Sequence, residues 1–360
     1  MIWNFLIPHI TFWKEHGDTV DAACSRTGFY FEELANKYHL HMYEIPFTRQ
    51  PFTLVNLQAW RQLEKLVSSG HYDVVVSQEP VGGVLGRLAG HRSGAKNIYT
   101  AHGFHFYKGA PRKNWLLYYP IERAMSRITD VLVTINEEDY LAAKKFKSKK
   151  AVKINGIGVD LNRFSHVETD AESKKKELKI PPEKKVILTV AEMIPRKNYE
   201  TALKAIARLK KEPLVYLICG DGELQGRLSA LSEELGIRDK IIFLGFRKDV
   251  NEIYHCADLF FFPSFQEGLS IALIEAMTAG LPVVCSRIRG NTDLIVDGKG
   301  GYLCEPTDDK AFATCIKKVL EDDHQCFGSY NAEHVKEFDI QFATADFYRA
   351  IQMSMENRHE

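Results

Sequence analysis

The sequence predicts an α/β protein built from two doubly wound domains, each a parallel sheet with helices on both faces. Short apolar runs rich in β-branched residues alternate with longer amphipathic runs along the whole chain, and such alternation is typical of parallel sheets. The alternation comes as two series, which a charged, proline-containing segment within 155–185 separates. At about 100–200 residues per domain, the 360 residues suffice for two domains.

The first series contains six strand-like runs, at 19–24, 41–47, 72–78, 97–103, 130–135 and 151–155. The run 54–69 between them repeats apolar residues at a helical spacing. The chain begins in a helical run over about 4–16, whereas a doubly wound domain normally begins with a strand. We therefore expect the first strand and its ligand-contacting loop to be missing. A start site placed too far downstream, a shortened chain and a domain that does without the strand all remain open.

The second series also contains six strand-like runs, at 185–192, 214–220, 240–246, 257–264, 282–287 and 301–306. A last helical run follows at 340–355. We predict one domain over 1–158 and a second over 159–339, followed by a C-terminal helix within 340–360.

Composition and charge exclude several classes of protein. Lys and Arg total 47, as do Asp and Glu, so no basic field points to nucleic acid. Residues 1–165 hold 21 basic against 15 acidic residues, which suits an anionic surface or ligand, although scattered solvated lysines give the same sum. The seven cysteines include no CxxC, so reduced thiols in a cytoplasmic protein are expected. No apolar run approaches the ~20 residues that span a bilayer, and the start lacks secretory-signal features.

The sharpest chemical signal is the segment 260–284, which reads as a buried strand, a loop and a helix beginning near Ser270. Backbone N–H groups at a helix start bind anions or sugar oxygens, and Gly268 permits a close approach. Glu267 in the loop and Glu275 in the helix can each accept hydrogen bonds from ligand hydroxyls. Both can instead be ordinary solvated residues, but Glu275 is flanked by apolar residues, which weakens that explanation.

Two further signals follow the carboxyl ends of predicted strands. Arg196 and Lys197 follow the strand that opens the second series, where two cations suit a diphosphate. His102 follows a strand of the first series and can exchange or share a proton near neutral pH. A solvated cation pair and a histidine satisfied by backbone groups are the competing interpretations. Three residues of strand-to-helix turns either border a nucleotide base or form ordinary turns, namely Gly220, Gly222 and Phe246.

The helical run 112–127 joins apolar and aromatic residues to basic ones. Such a helix rests on an anionic membrane, or packs into a core with solvated flanks. The residues that would face the membrane or the acceptor are Lys113, Trp115, Leu116, Tyr118 and Arg123. Motifs of other enzymes are absent: there is no GxGxxG after a strand, no GxxxxGK[ST], no GxSxG and no Asp-x-Asp metal clamp.

The order of motifs resembles the family-four retaining glycosyltransferases of the GT-B fold, in their bacterial capsule and exopolysaccharide branch. The resemblance rests on GDGE (220–223), LGF (244–246), EGLSIALIEAM (267–277) and AGLPVV (279–284), with YTAHGFHFYKGAP (99–111) in the first half. It implies two Rossmann-like domains that face a cleft, an acceptor-side domain over 1–158 and a nucleotide-sugar domain over 159–339. It also implies that the C-terminal helix packs back on the first domain.

The resemblance also implies a role for each site residue. Glu267 and the N–H groups of Gly268, Leu269 and Ser270 would hold the donor sugar and its phosphate, and Glu275 the ribose hydroxyls. Lys197 would bind the diphosphate, with Arg196 replacing an arginine that the family usually has where this chain has Glu192. His102 would lie near the sugar C6 hydroxyl. The base would be surrounded by Phe246, Gly220 and Gly222.

The function that follows is transfer of a sugar from a nucleoside diphosphate sugar, UDP-linked, to a glycan or polyprenyl-diphosphate-linked acceptor. We expect no metal ion or other cofactor, and a cytoplasmic protein attached peripherally to the inner face of the membrane. Two alternatives stay open. One is a donor-binding relative with impaired catalysis and a regulatory role, which the missing strand motivates. The other is a nucleotide-sugar epimerase of the same fold.

Overall fold

The computed structural model describes residues 2–26, 31–321 and 325–356. It divides the chain into two compact units, the first comprising Met1–Gly158 with Ile340–Glu360 and the second comprising Val159–Asp339. All twelve strand-like runs of the sequence contain a strand, and every ladder between these strands is parallel. The predicted α/β class is confirmed.

The described residues of the first unit form six strands in two sheets. The strands are β1 (Asp21–Cys24), β2 (His41–Glu44), β3 (Val74–Gln78), β4 (Lys96–Ala101), β5 (Val131–Thr134) and β6 (Lys150–Lys153). A four-stranded sheet has the order β3-β4-β5-β6, and β1 and β2 form a separate pair. Within the described ranges β1 bonds only to β2 and β3 only to β4, so no ladder joins the two sheets.

Helices connect these strands and cover them. They are α1 (Ile7–Glu15), α2 (Phe31–Lys37), α3 (Leu54–Gly70), α4 (Pro80–Ser93), α5 (Arg112–Met125) and α6 (Glu137–Ala143), and a π-helical turn (Ile2–Leu6) precedes α1. The final helix of the chain, Ile340–Met355, belongs to this unit as well. Its Phe347 packs edge-on against His9 and Trp13 of α1, with ring centroids 5.3 and 5.4 Å apart.

In the second unit, the part of the chain that the structure describes forms one six-stranded sheet. Its strands are β7 (Lys185–Val190), β8 (Leu214–Cys219), β9 (Ile241–Gly245), β10 (Leu259–Phe262), β11 (Val283–Ser286) and β12 (Gly301–Cys304). The order is β12-β11-β10-β7-β8-β9, so the chain winds outward from β7 in one direction and from β10 in the other. Ligands of open α/β sheets bind at the carboxyl ends of the two strands where the winding reverses. Here those strands are β7 and β10.

Helices bury both faces of this sheet. They are α7 (Asn162–Ser165), α8 (Ala171–Glu177), α9 (Tyr199–Arg208), α10 (Gln225–Glu234), α11 (Val250–His255), α12 (Ile271–Thr278), α13 (Asn291–Leu294), α14 (Asp309–Glu321) and α15 (Gln325–His334). Phe260 and Phe262 of β10 pack with the core on one face, and Phe261 packs on the other against Phe312 of α14. Burial on both faces explains why these strands read as unbroken apolar runs.

Three simpler observations complete the fold. The seven cysteines form no disulfide. No helix of the described residues is long and apolar enough to cross a membrane. The same residues include no cluster of three or more His, Cys, Asp or Glu that could hold a metal ion.

Candidate active site

The loops that follow β7 and β10 are bonded together at the carboxyl edge of the second sheet. Phe265 N donates to the carbonyl of Arg196 at 2.8 Å. Asn198 is buried, and its Nδ2 donates to the carbonyls of Pro263 and Pro306 at 2.8 and 2.7 Å. Asn198 has φ +58°, a left-handed conformation that asparagine tolerates better than most residues. We call residues 195–198 the cation loop. The Asn198 side chain therefore fixes this loop against the ends of β10 and β12.

Three predicted site residues meet in this place. Lys197 Nζ lies 2.7 Å from Glu267 Oε1, and Arg196 Nη1 lies 3.4 Å from Glu267 Oε2. Glu267 is 8% exposed, and the Lys197 ammonium also sits over the Phe262 ring, 4.8 Å from its centroid. Burial lowers the pKa of Lys197, and the Glu267 carboxylate opposes that effect.

Two cations thus share one carboxylate. The Arg196 side chain is 47% exposed and its contact is long, so that pair contributes little to stability. The Lys197 pair is more buried, and such pairs rarely stabilise a fold beyond what apolar residues would. The cluster keeps a positive excess near Glu267, although the exposed Glu192 carboxylate also acts on Lys197 from farther away. An anionic ligand would be attracted to this cluster, and would leave Glu267 oxygens available to hydroxyl donors.

The loop from Glu267 leads into the first turn of α12. Ser270 is the N-cap, and its Oγ accepts a hydrogen bond from Leu273 N at 3.3 Å. Leu269 is half-buried against the core, and Gly268 precedes it. The predicted residues therefore form the helix start, with the positive end of the α12 dipole beside the Lys197 cluster.

Two residues that the sequence analysis missed support this loop from behind. The buried Arg289 donates from Nε to the Glu267 carbonyl at 3.1 Å. Gly290 has φ +81°, and a Cβ placed on it would lie 2.4 Å from the Gly268 carbonyl oxygen. Glycine is therefore needed at 290 for both backbone conformation and space. The sequence signal for this support was Gly290 in the segment after β11. Glycines are common in turns, so the signal does not single out a site.

Glu275 forms a second polar position on α12. Its Oε2 accepts a hydrogen bond from Tyr254 OH on α11 at 2.9 Å. Burial raises the pKa of Glu275 to about 7, against the opposing effects of the Tyr254 hydrogen bond and the Arg163 charge. Burial therefore disfavours the ionised form of the Glu275 carboxyl. A pKa shifted in this way is typical of residues in functional sites. Tyr254 was not predicted.

The glycines of the turn after β8 permit close packing between two loops. A Cβ on Gly220 would lie 2.2 Å from the Ala191 carbonyl oxygen, and one on Gly222 would lie 2.4 Å from that of Met193. Both glycines therefore bring the loop after β8 onto the loop after β7. This packing is a structural reason for them whether or not they also border a ligand.

Phe246 stands on a fixed loop after β9. Its ring is exposed, at 71%, while its backbone N donates to Asp221 Oδ1 at 3.1 Å. The neighbouring Arg247 is bonded to Asp249 and, at 2.9 Å, to Glu177. An aromatic ring held outward on such a loop suits stacking on a nucleotide base.

His102 belongs to the first unit, at the carboxyl end of β4. Its Nε2 lies 2.6 Å from Oε1 of Gln78, which ends the neighbouring β3. Burial lowers the pKa of His102 to about 4, and the nearby His9 adds to the effect. The ring is therefore neutral at neutral pH. Because Gln78 Oε1 can only accept, Nε2 carries the proton and Nδ1 is left as an acceptor.

The predicted membrane helix is α5, which buries its acidic residue and exposes both apolar and basic ones. Glu122, its one acidic residue, is buried and 3.0 Å from Arg87 Nη1. Tyr118 is half-buried and stacks on His105 with centroids 4.4 Å apart, so it lies on the inner side. The remaining predicted residues are exposed, namely Lys113, Trp115, Leu116 and Arg123.

The fold and the site together define a class, a glycosyltransferase of the GT-B fold. Residues 170–334 match the family described as glycosyl transferases group 1, and residues 2–136 match glycosyl transferase 4-like proteins. EpsD of Bacillus subtilis (strain 168), which bears the name of a glycosyltransferase, is 38% identical over 330 residues, covering 89% of this chain and 85% of EpsD. The chain therefore belongs to the family-four, group 1 glycosyltransferases, as its motifs predicted.

Two further similarities agree. The UDP-Gal:alpha-D-GlcNAc-diphosphoundecaprenol alpha-1,3-galactosyltransferase of Escherichia coli is 31% identical over 268 residues, or 72% of this chain and 69% of that one. The crystal structure of Anabaena HepE in complex with UDP superposes with a TM-score of 0.80 at 19% identity, covering 96% of each chain. The predicted GT-B fold is confirmed, whereas the roles of individual residues stay predictions.

The first prediction concerns the support behind Glu267. We expect Gly290→Ala to weaken UDP binding about tenfold or more, because the new Cβ must displace the Gly268 backbone. Isothermal titration with UDP measures the effect. Gly298→Ala is the matched control, since Gly298 also has a positive φ, of +78°, but open space around it. Equal losses of affinity in both variants would show that backbone strain alone is responsible.

The second prediction concerns Glu275 and pH. Its pKa is about 7 in the folded chain and about 4.3 when unfolded, so stability from this group is lost as pH rises through 7. Glu275→Gln should therefore raise the free energy of unfolding by roughly 2 kcal/mol at pH 8 and by much less at pH 5. Urea denaturation at both pH values tests this, with the exposed Glu234→Gln as control. A gain that is the same at both pH values would contradict it.

Proposed function

We propose that the chain transfers a sugar from a UDP-linked donor to a glycan or polyprenyl-diphosphate-linked acceptor, with retention of anomeric configuration. The observation that carries this is the sharing of Glu267 by Arg196 and Lys197 at the point where the strand order reverses. The Escherichia coli relative is named for a UDP-galactose donor and a diphosphoundecaprenol-linked acceptor. HepE is described in complexes with UDP and with UDP-glucose. These names support a UDP donor and a lipid-linked acceptor.

In the proposed reaction the bond between the sugar C1 and the β-phosphate oxygen breaks, and a bond from C1 to the acceptor oxygen forms. Negative charge grows on the departing diphosphate, where Lys197 and Arg196 stabilise it. The acceptor hydroxyl gives its proton to the departing phosphate, so no protein base is required. With two cations at the leaving group, we propose that neither a metal ion nor another cofactor takes part.

Three other residues would orient the donor. Glu267, released from its cations by the diphosphate, would accept hydrogen bonds from sugar hydroxyls, and Glu275 from the ribose. His102 is neutral, so it would accept a sugar hydroxyl at Nδ1 rather than donate a proton. The retained charge of Lys197 is essential to this scheme, because a neutral amine would not balance the leaving group.

The proposed place of the reaction is the cytoplasmic face of the membrane, in capsule or exopolysaccharide synthesis. Helix α5 supports this, since it exposes apolar side chains between cations and buries its one acid. A lipid-linked acceptor lies in the bilayer. An enzyme that rests on the anionic surface encounters it by diffusion along the membrane plane rather than from solution.

A second candidate is a donor-binding relative with impaired transfer. The division of the first unit's strands into two sheets favours it, whereas the second unit has an unbroken six-stranded sheet. UDP binding without any sugar transfer or donor hydrolysis would support this candidate. Conversion of a UDP-sugar into its epimer without acceptor would instead indicate an epimerase.

The third prediction tests the leaving-group role. Lys197→Ala should lower turnover of a UDP-sugar at least tenfold, because the cation acts where charge develops. UDP release from a panel of UDP-sugars, with a lipid-linked sugar as acceptor, measures it. Lys204→Ala, on the exposed side of α9 in the same unit, is the control. Equal turnover in the Lys197 variant and the control would remove the proposed role.

A further inference from the structure

A second apolar surface of the first unit lies in the loop after β2 and the start of α3. We call residues 49–61 the α3 tip. Phe52 is 79% exposed and Leu54 is 84% exposed, while Val55 and Leu57 are each 41% exposed. Exposed apolar residues are normal when scattered, but a contiguous group on a soluble surface usually marks a binding site.

The α3 tip is held rigidly in this exposed position. Asn56 is 3% exposed; its Oδ1 accepts from Thr48 N at 2.9 Å, and its Nδ2 donates to the Gln50 carbonyl at 2.6 Å. Thr53 caps α3 by accepting from Asn56 N at 3.3 Å. These bonds fix the turn on both sides of Phe52. The structure therefore keeps the apolar side chains in water rather than letting them fold inward.

The charged residues within the α3 tip are all basic. Residues 45–63 contain no Asp or Glu, and Arg49 and Arg61 are both exposed within them. Apolar side chains between cations complement the interface of an anionic bilayer, where the chains enter the headgroup region and the cations meet lipid phosphates. A neutral apolar partner would give no reason for the absence of acids.

Topology places the α3 tip at the same edge of the unit as α5. Helix α3 follows β2 and leads to β3, and α5 follows β4, so each begins at the carboxyl end of a parallel strand. Helix α3 packs against α4, which begins after β3. Ile45, Ala59 and Ala89 join β2's end, α3 and α4 in one core cluster. His102 lies at this edge too, at the end of β4.

We propose that the α3 tip is a second membrane-contacting element of the first unit. Phe52, Leu54 and Leu57 would enter the headgroup region, and Arg49 and Arg61 would contact anionic lipid phosphates. This inference rests on the proposed attachment through α5. Two contacts on one edge, unlike one, fix the orientation of the unit, and they turn the edge that carries His102 toward the lipid-linked acceptor.

Sedimentation with vesicles tests the proposal on the full chain. One set of vesicles is phosphatidylcholine mixed with phosphatidylglycerol, and the other is phosphatidylcholine alone. We expect the double variant Phe52→Ser with Leu54→Ser to bind the anionic vesicles about tenfold more weakly than the natural chain. The exposed Phe342→Ser, on the final helix of the same unit, should bind them unchanged. All variants should keep their affinity for UDP.

The outcomes separate the inference from the proposed function. If Trp115→Ser with Leu116→Ser weakens vesicle binding but the tip variant does not, α5 attaches the protein and the tip is not involved. If Phe342→Ser weakens binding equally, or if neutral vesicles bind as well as anionic ones, the tip has no specific role. If the natural chain self-associates and the tip variant is monomeric in sedimentation velocity, the tip is a protein interface instead. If the natural chain fails to bind UDP, that result contradicts the proposed function but not the membrane contact of the tip.

Discussion

The arrangement on which the site depends is the sharing of the Glu267 carboxylate by Lys197 and Arg196. Without the cations, a carboxylate that is 8% exposed would be strongly destabilised by burial. Without the carboxylate, two adjacent cations would repel each other in the same loop. The carboxylate and the cations therefore stabilise each other in the loop. In the proposed reaction, a diphosphate would take the place of the Glu267 carboxylate beside these cations, so their charge would stay balanced when the donor binds.

This arrangement makes the supporting residues necessary. Asn198 joins the cation loop to the ends of β10 and β12, and Gly290 allows close contact behind Gly268. These contacts are polar or between backbone groups, so they add no apolar burial. Asn198 and Gly290 also have a left-handed backbone conformation. Lys197 and Glu275 likewise have pKa values shifted toward their neutral forms by burial. A sequence selected for stability alone would avoid such features, so their concentration around β7 and β10 indicates a binding function.

The sequence predicts the strands well and the supporting contacts poorly, for physical reasons. Strands buried on both faces, such as Phe260–Phe262, are short continuous apolar runs bounded by turn residues, and these features are visible in the sequence itself. The Gln78–His102 and Arg289–Glu267 contacts join residues 24 and 22 positions apart, and no local pattern records such pairs. The separation of β1 and β2 from β3–β6 is equally invisible, because strand composition does not encode the pairing partner. The family's motif could still be recognised, since residues 267–277 that carry it are contiguous in the sequence.

In the proposed chemistry the two units would contribute different kinds of group. The second unit would contribute charged groups, and the first a buried neutral one. In the proposed reaction the second unit would supply the cations, since the leaving group of a sugar nucleotide is an anion whose charge rises during the reaction. The first unit supplies a neutral acceptor, because Gln78 sets the tautomer of His102 and burial lowers its pKa to about 4. A protonated imidazole there would donate at Nδ1 and could no longer accept a sugar hydroxyl. Its low pKa therefore preserves the Nδ1 acceptor through the physiological pH range, which fits the proposed role of His102 in orienting the donor rather than transferring a proton.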